Sequence, residues 1–375
     1  TSSFTIYATT SSISASINND IQSGIASTGP LGFITVSRTG SNSLTIAKNG
    51  VTSSFTVPAS GALSTGIYLG AVNNNGIAVG SSPYNISFAS VGTGLTNRET
   101  KTYTYLVNNL QQNLGRNYLY NYAPNAIAAY SLRKLNPNYA GPALKVRRSS
   151  DNTTRDIQFD TNVLDTNGLL SFVGSGYGYV ETWYDQSGNN NHVNQTATGS
   201  QPTIVVTGSI YSYNNRPGVY FGSPQNLLLG RSIGNITASS TYTVYALPNP
   251  SLSGQNTVWW TGQTDTWWQQ GGTGYTRLFS INRRDGFASP MNTSGQVLFS
   301  TYHTGSLMQA FQNGGSMGLN TAAAFSSGSD LILGGQGTSP GPHYGPIHEL
   351  VIYPTYDTGS RSAIENNINM YYQVY

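Results

Sequence analysis

The segment Leu44-Thr45-Ile46-Ala47-Lys48-Asn49-Gly50 is echoed by Met308-Gln309-Ala310-Phe311-Gln312-Asn313-Gly314, with the two asparagines 264 positions apart. The same offset carries Leu69-Gly70 onto Leu333-Gly334 and Ile86-Ser87-Phe88 onto Leu350-Val351-Ile352. One offset that holds at three landmarks points to an internal duplication. Asn-Gly accepts positive φ at both residues, so each copy predicts a tight hairpin. After each copy the period changes from two to that of a helix. Thr96-Asn97-Arg98-Glu99 reads as a capping box, Tyr103, Leu106, Val107, Leu110 and Leu114 as one apolar face, and Gly115 as a stop. In the second copy Ser362-Ala363-Ile364-Glu365 predicts the box, and Ile364, Ile368 and Tyr371 or Tyr372 the face.

Between these landmarks the chain reads as short strands. Phe33–Arg38 and Ser43–Lys48 flank a polar turn, and Ser53–Val57, Gly66–Val72 and Tyr84–Phe88 are further strand candidates. Only 8% of the 375 residues are charged, against roughly 25% in a typical soluble domain, so solubility falls to Ser, Thr, Asn, Gln and Gly. With 43 Gly and 26 Tyr, this profile predicts many short strands on an extracellular or virion surface. A net charge of +3 does not call for nucleic acid, and the absence of cysteine excludes disulfides and thiolate metal sites. No apolar run reaches the ~18 residues that a membrane span needs. Arg133, Lys134, Lys145, Arg147, Arg148 and Arg155 cluster in one segment. They predict either an anionic partner or a solvated face neutralised by Asp151 and Asp156.

That basic segment lies within the most distinctive run of the chain. Ala129-Tyr130-Ser131-Leu132-Arg133-Lys134-Leu135, Lys145-Val146-Arg147-Arg148-Ser149-Ser150-Asp151-Asn152 and Thr182-Trp183-Tyr184-Asp185-Gln186-Ser187-Gly188-Asn189 follow one another in order. Together they resemble the opening of the arabinofuranosidase B type of β-sandwich, within the concanavalin A-like lectin/glucanase superfamily. The resemblance implies that residues 119–375 form such a sandwich. Residues 1–118, through Gly32–Arg38 and Phe88–Gly92 followed by a helix, resemble the C-terminal half of a laminin-G-like domain. The expected fold is therefore all-β: tandem concanavalin-like jelly-roll sandwiches, each closed by a short C-terminal helix. The 264-residue offset would start the first copy before Thr1, which itself is not a Met, so its strands are expected to be completed by an upstream piece or a neighbouring subunit.

Four of the five tryptophans fall within ten residues: Trp259, Trp260, Trp267 and Trp268, with Tyr275 close behind. Adjacent residues in a strand point to opposite faces, so each Trp pair offers one ring to the core and one outward. Outward rings among Asn, Gln and Asp suit the apolar faces of sugars, and they equally suit a subunit contact. Asp185, Asn189 and Asn191 offer hard oxygens to Ca²⁺, or form a side-chain-stabilised turn without metal. No other cofactor is expected, and His192, His303, His343 and His348 lack metal-ligand spacing.

The family likeness raises hydrolysis, which normally needs two carboxylates about 5–10 Å apart. Glu181 and Asp185 share a strand face but stand roughly 13 Å apart. The adjacent cysteine pair of the arabinofuranosidase family's sugar pocket has no counterpart here, and no match is found around that family's catalytic carboxylates. The sequence thus predicts a non-enzymatic surface or virion structural protein, a fibre, decoration or adhesin subunit that presents a carbohydrate-binding sandwich. Its expected partners are glycans and other subunits of an assembly, with neither nucleic acid nor membrane insertion. The alternative is a secreted hydrolase of arabinofuranosides.

Overall fold

In the computed structural model the described residues are 3–9, 11–19, 23–26, 32–61, 67–74, 77–80, 86–114, 119, 124–222, 228–230, 242–248, 256–261, 267–270, 275–280, 283–290, 296–303, 307–321, 331–334, 343, 345–354 and 358–375. Between 228 and 290 this description is of the backbone alone. The chain divides into two compact units, Thr1–Leu110 and Gln111–Tyr375. No helix among the described residues is long and apolar enough to cross a membrane.

The first unit holds small antiparallel sheets. Ser3–Ala8, Ser12–Asn19 and Ser23–Ala26 form one, Ile34–Gly40, Ser43–Lys48 and Val51–Thr56 a second, and Val72–Asn74 with Ile77–Val79 a third. Ile13, Ala15 and Ile46 form its buried core. Asn49 and Gly50 take the predicted hairpin turn with φ of 52° and 84°. The Asn49 side chain accepts the Phe33 N–H at 2.8 Å, while the Asn49 backbone N–H donates to the Phe33 carbonyl. Helix α1 (Asn97–Asn113) opens with the expected box, in which Thr96 N–H reaches Glu99 Oε2 at 2.8 Å and Glu99 N–H reaches Thr96 Oγ1 at 3.3 Å.

The face that α1 buries departs from the expected one. Thr100, Thr104, Val107 and Asn108 are buried, whereas Leu106, Leu110 and Leu114 are exposed. The buried side of the helix meets the Gly50 turn at Thr104, which a Cβ added at Gly50 would contact at 3.7 Å. Residues 86–88 are irregular, and of 67–72 only Val72 enters a strand. Their counterparts at 331–333 and 350–352 lie in strands because each has ladder partners there.

The second unit repeats the hairpin and encloses far more. Its sheet joins 19 described strands, the first of them, Ala128–Ser131, pairing with the last, Gly345–Tyr353. Every residue of Gly345–Tyr353 is buried. A strand alternates its faces, and here both faces meet a core. Leu350 and Ile352 join Tyr130, Val146, Trp183 and Phe221, with Leu169 and Phe172 of helix α2 (Thr166–Val173), while Val351 and Tyr353 join Ile364, Ile368, Tyr371 and Tyr372 of helix α3 (Thr358–Tyr372). The α3 face is the predicted one, but its capping box is not formed. Because α3 begins at Thr358, Ser362 and Glu365 lie inside it, and Glu365 instead accepts from Arg361 at 2.7 Å and from Ser300 Oγ at 2.6 Å.

Candidate functional site

The Asp185–Asn191 turn is the first functional candidate, and its side chains are already engaged. Asp185 Oδ1 accepts the amides of Ala129 and Ser187 at 2.8 and 2.9 Å, and Oδ2 accepts Ser187 Oγ and the Asn191 amide at 2.7 and 3.0 Å. Asn189 and Asn191 point their amide N–H groups at the carbonyl of Ile127. Gln186 takes the Leu135 amide and donates to the carbonyls of Ser131 and Arg133. The motif is therefore a staple, in which side chains fix residues 126–135 in addition to the ladder that Ala128–Ser131 makes with Gly345–Tyr353. With four donors on the carboxylate, the arrangement is that of a side-chain-stabilised turn. Among the described residues no group of three or more His, Asp or Glu is placed to hold a metal.

The basic cluster resolves residue by residue. Arg133 is fully buried and meets Glu349 through two bonds, Nε to Oε2 at 2.8 Å and Nη2 to Oε1 at 2.9 Å. Ser131 Oγ and Tyr372 Oη also donate to Glu349 Oε2. Burial works against the Arg133 charge, and Glu349 more than restores it, so the guanidinium pKa lies above its usual value. This pair is sealed between the sheet and α3. Lys145 pairs with Glu181 at 2.8 Å and Arg148 with Asp151 at 2.7 Å. Asp156 accepts from the Tyr184 hydroxyl. Arg147 makes no ion pair among the described residues; it lines a cleft of about 400 Å³ with Ser149, Tyr179, Thr198, Gly199, Gln201 and Thr203.

The carboxylates whose side chains are described each have a partner. Glu99 and Asp165 cap helices, Asp151, Glu181, Glu349 and Glu365 pair with cations, Asp156 and Asp160 accept hydroxyls, and Asp185 holds its turn. Glu181 is thus a salt-bridged sheet residue. Burial depresses the pKa of His343 to about 4, against an opposing contribution from the Pro346 backbone, and also lowers that of His192.

The five aromatic candidates fall on three consecutive strands. Trp259 and Trp260 lie in Asn256–Thr261, Trp267 and Trp268 in Trp267–Gln270, and Tyr275 opens Tyr275–Ser280. Trp260 stands opposite Trp267 in the ladder, and Trp268 opposite Leu278, which in turn faces Asp285 of Arg283–Pro290. The register thus gathers all four tryptophans onto one antiparallel pair. Their side chains lie outside the described residues, so the choice between outward and core rings rests on sequence alternation.

The architecture defines a class first: a mainly antiparallel β-sandwich with one large sheet and few helices. Within that class the fold is that of the arabinofuranosidase B catalytic domain. The family described as "Alpha-L-arabinofuranosidase B, catalytic" matches residues 118–212. A GH54 α-L-arabinofuranosidase soaked with a cyclic sulfate inhibitor superposes with a TM-score of 0.56 at 16% identity, covering 68% of this chain and 65% of that one. An arabinofuranosidase complexed with arabinofuranosyl-alpha-1,2-xylobiose gives 0.56 at 17% identity, covering 68% and 64%. This chain therefore spans a little under two thirds of the length of those structures. No curated protein matches it. At such identity the likeness defines the fold, and chemistry must be argued from residues.

Proposed function

We propose that this chain is a carbohydrate-active sandwich that engages arabinofuranosyl-bearing glycans along the strands Asn256–Thr261 and Trp267–Gln270. The observation that carries this reading is the register that sets Trp260 opposite Trp267 on a scaffold of the arabinofuranosidase type. One neighbour of that fold is complexed with arabinofuranosyl-alpha-1,2-xylobiose, which supports a ligand of the same class here. Aromatic rings bind such sugars through their apolar C–H faces, and neighbouring amides take the hydroxyls.

Two outcomes of that engagement compete. The comparisons favour hydrolysis, since the family profile and both structures are of arabinofuranosidases. Binding without turnover draws support from the occupied carboxylates. A hydrolytic pair would draw on Asp265 and Asp285, the acidic residues nearest the tryptophans in sequence. The finer reading of tandem jelly rolls, the first related to the closing half of the second, rests on the shared offset and hairpin. An extracellular setting rests on the charge-poor composition alone, and a fibre, decoration or adhesin role draws no support from the comparisons.

The test is to titrate the full chain with arabinofuranosyl-xylobiose and assay released arabinose, alongside Trp260→Ala, Trp268→Ala and Asp285→Asn. Binding lost by at least tenfold in the Trp variants is the expected result. Release of arabinose that Asp285→Asn abolishes selects the hydrolase, and binding without release selects the lectin-like module. Neither binding nor release would sink both.

A further inference from the structure

The Arg147 cleft lies outside the Trp strands and carries a charge that the protein leaves unneutralised. Arg147 is 7% exposed, yet each of its partners is neutral: Gln201 Oε1 at 2.7 Å from Nε, Asn152 Oδ1 at 2.6 Å from Nη1 and the Thr198 carbonyl at 3.2 Å from Nη2. A guanidinium has five N–H donors, so one remains on each terminal nitrogen. Of the other cations on this strand Lys145 pairs with Glu181 and Arg148 with Asp151, whereas Arg147 has no carboxylate partner among the described residues. Holding a nearly buried cation on neutral acceptors alone is costly. An anionic ligand would relieve that cost through charge-assisted bonds to the two remaining donors.

The walls specify the rest of the ligand. Tyr179, opposite Arg147 in the ladder, lies with its ring centroid 4.6 Å from the guanidinium. The Tyr177 ring stacks nearly parallel to it, at 11° and 6.0 Å, beyond the lining of the cleft itself. The phenol of Tyr179 and the hydroxyls of Thr198 and Thr203 make no hydrogen bond within the described protein. A tyrosine ring edged by free hydroxyls suits a pyranose ring, and the cleft's roughly 400 Å³ holds one or two such rings.

We propose that this cleft binds an acidic saccharide, its carboxylate or sulfate ester at Arg147 and its ring against Tyr179. The sugar part rests on the carbohydrate reading above, whereas the requirement for an anion rests on Arg147 itself. Gly199 provides a clean block: its φ is not in the left-handed region and a Cβ there meets no atom within 4 Å, so Gly199→Phe fills the cleft without removing a contact.

The experiment is calorimetric titration of the full chain with trigalacturonate, a sulfated trisaccharide and a neutral trisaccharide of the same linkage. At least one anionic probe should bind tenfold or more tighter than the neutral one and weaken with added salt. Whichever anion binds identifies its source. Gly199→Phe, Tyr179→Ala and Arg147→Gln should each lower that affinity tenfold or more, with thermal melts reporting whether each variant folds, and Trp260→Ala should leave it unchanged. Equal affinity for charged and neutral probes, no binding of either anion, or full affinity in folded Gly199→Phe would overturn the proposal. Loss of arabinofuranosyl-xylobiose binding alone would count against the Trp strands and leave this cleft standing.

Discussion

The two units carry the same turn and very different interiors. Asn49 and Asn313 both sit at φ near 50°, each followed by a glycine near 80°. Asn313 Oδ1 accepts the Leu298 amide at 2.9 Å, as Asn49 does that of Phe33. The offset of 264 also carries the buried residues of α1, Thr100, Thr104, Val107 and Asn108, onto Ile364, Ile368, Tyr371 and Tyr372, all buried in α3. Local geometry is thus shared, while side-chain size is not. In the second unit these large residues close a core with Leu298, Val351 and Tyr353, whereas the core of the first is a small cluster around Ile13 and Ile46. A hairpin clamp sets the register of a sheet, and the stability of the unit depends on the apolar area that the sheet then covers.

The contrast is sharpest at the buried pair, which has no counterpart among the described residues of the first unit. Glu349→Gln leaves the Arg133 charge uncompensated in the core and should destabilise the second unit by about 3–5 kcal/mol. In chemical denaturation of the full chain, the transition of residues 111–375 should shift and that of the first unit should not. A change below about 1 kcal/mol would mean that the pair is open to water.

Acid provides the next separation, because all four histidines lie in the second unit. His343 has a folded pKa of about 4, below its unfolded value near 6.5. Between those values the unfolded state binds more protons, so stability present above pH 6.5 is lost as the pH falls toward 4. The loss from His343 is at most about 3 kcal/mol. His343→Phe should flatten this part of the pH profile; an unchanged slope would place the sensitivity elsewhere.

Smallest, and shared by both units, is the clamp. Asn49→Ala and Asn313→Ala each remove an acceptor and place a β-carbon at positive φ, for about 2 kcal/mol apiece, whereas the glycine variants relieve the strain and should cost about half of that. The same loss should abolish the first unit's transition and only lower that of the second. Equal residual stability after both alanine substitutions would contradict the difference in core size. Amide exchange, resolved by unit, reads this directly.

These differences also mark what sequence could reveal. Both Asn-Gly hairpins, the Thr96–Glu99 box and the face of α3 follow from local rules of spacing and φ, and they stand in the structure, whereas at the other two landmarks of the offset Leu69 and residues 86–88 lie outside strands while Leu333 and residues 350–352 lie within them. The apolar periodicity of α1 indicated the wrong face, because the buried side, which meets the Gly50 turn at Thr104, also carries Thr100 and Asn108 rather than leucines. At the candidate site the tryptophans were legible by their concentration, and the strand register that brings Trp260 to Trp267 was not. Arg147 was visible only as one of six basic residues.

The sequence alone determined the turns and the period-two segments, since each depends on residues within a few positions of one another, and the low charge, which is a matter of composition. Tertiary structure decided the partners across long separations. Arg133 and Glu349 stand 216 residues apart, and strand order places them together. By the same means Arg147 meets the neutral Gln201 and Thr198, 54 and 51 residues on, while Arg148 meets Asp151 within its own turn. Strand alternation sends neighbouring side chains to opposite faces, and the surroundings of each face are set by whichever strands and loops the fold lays beside it.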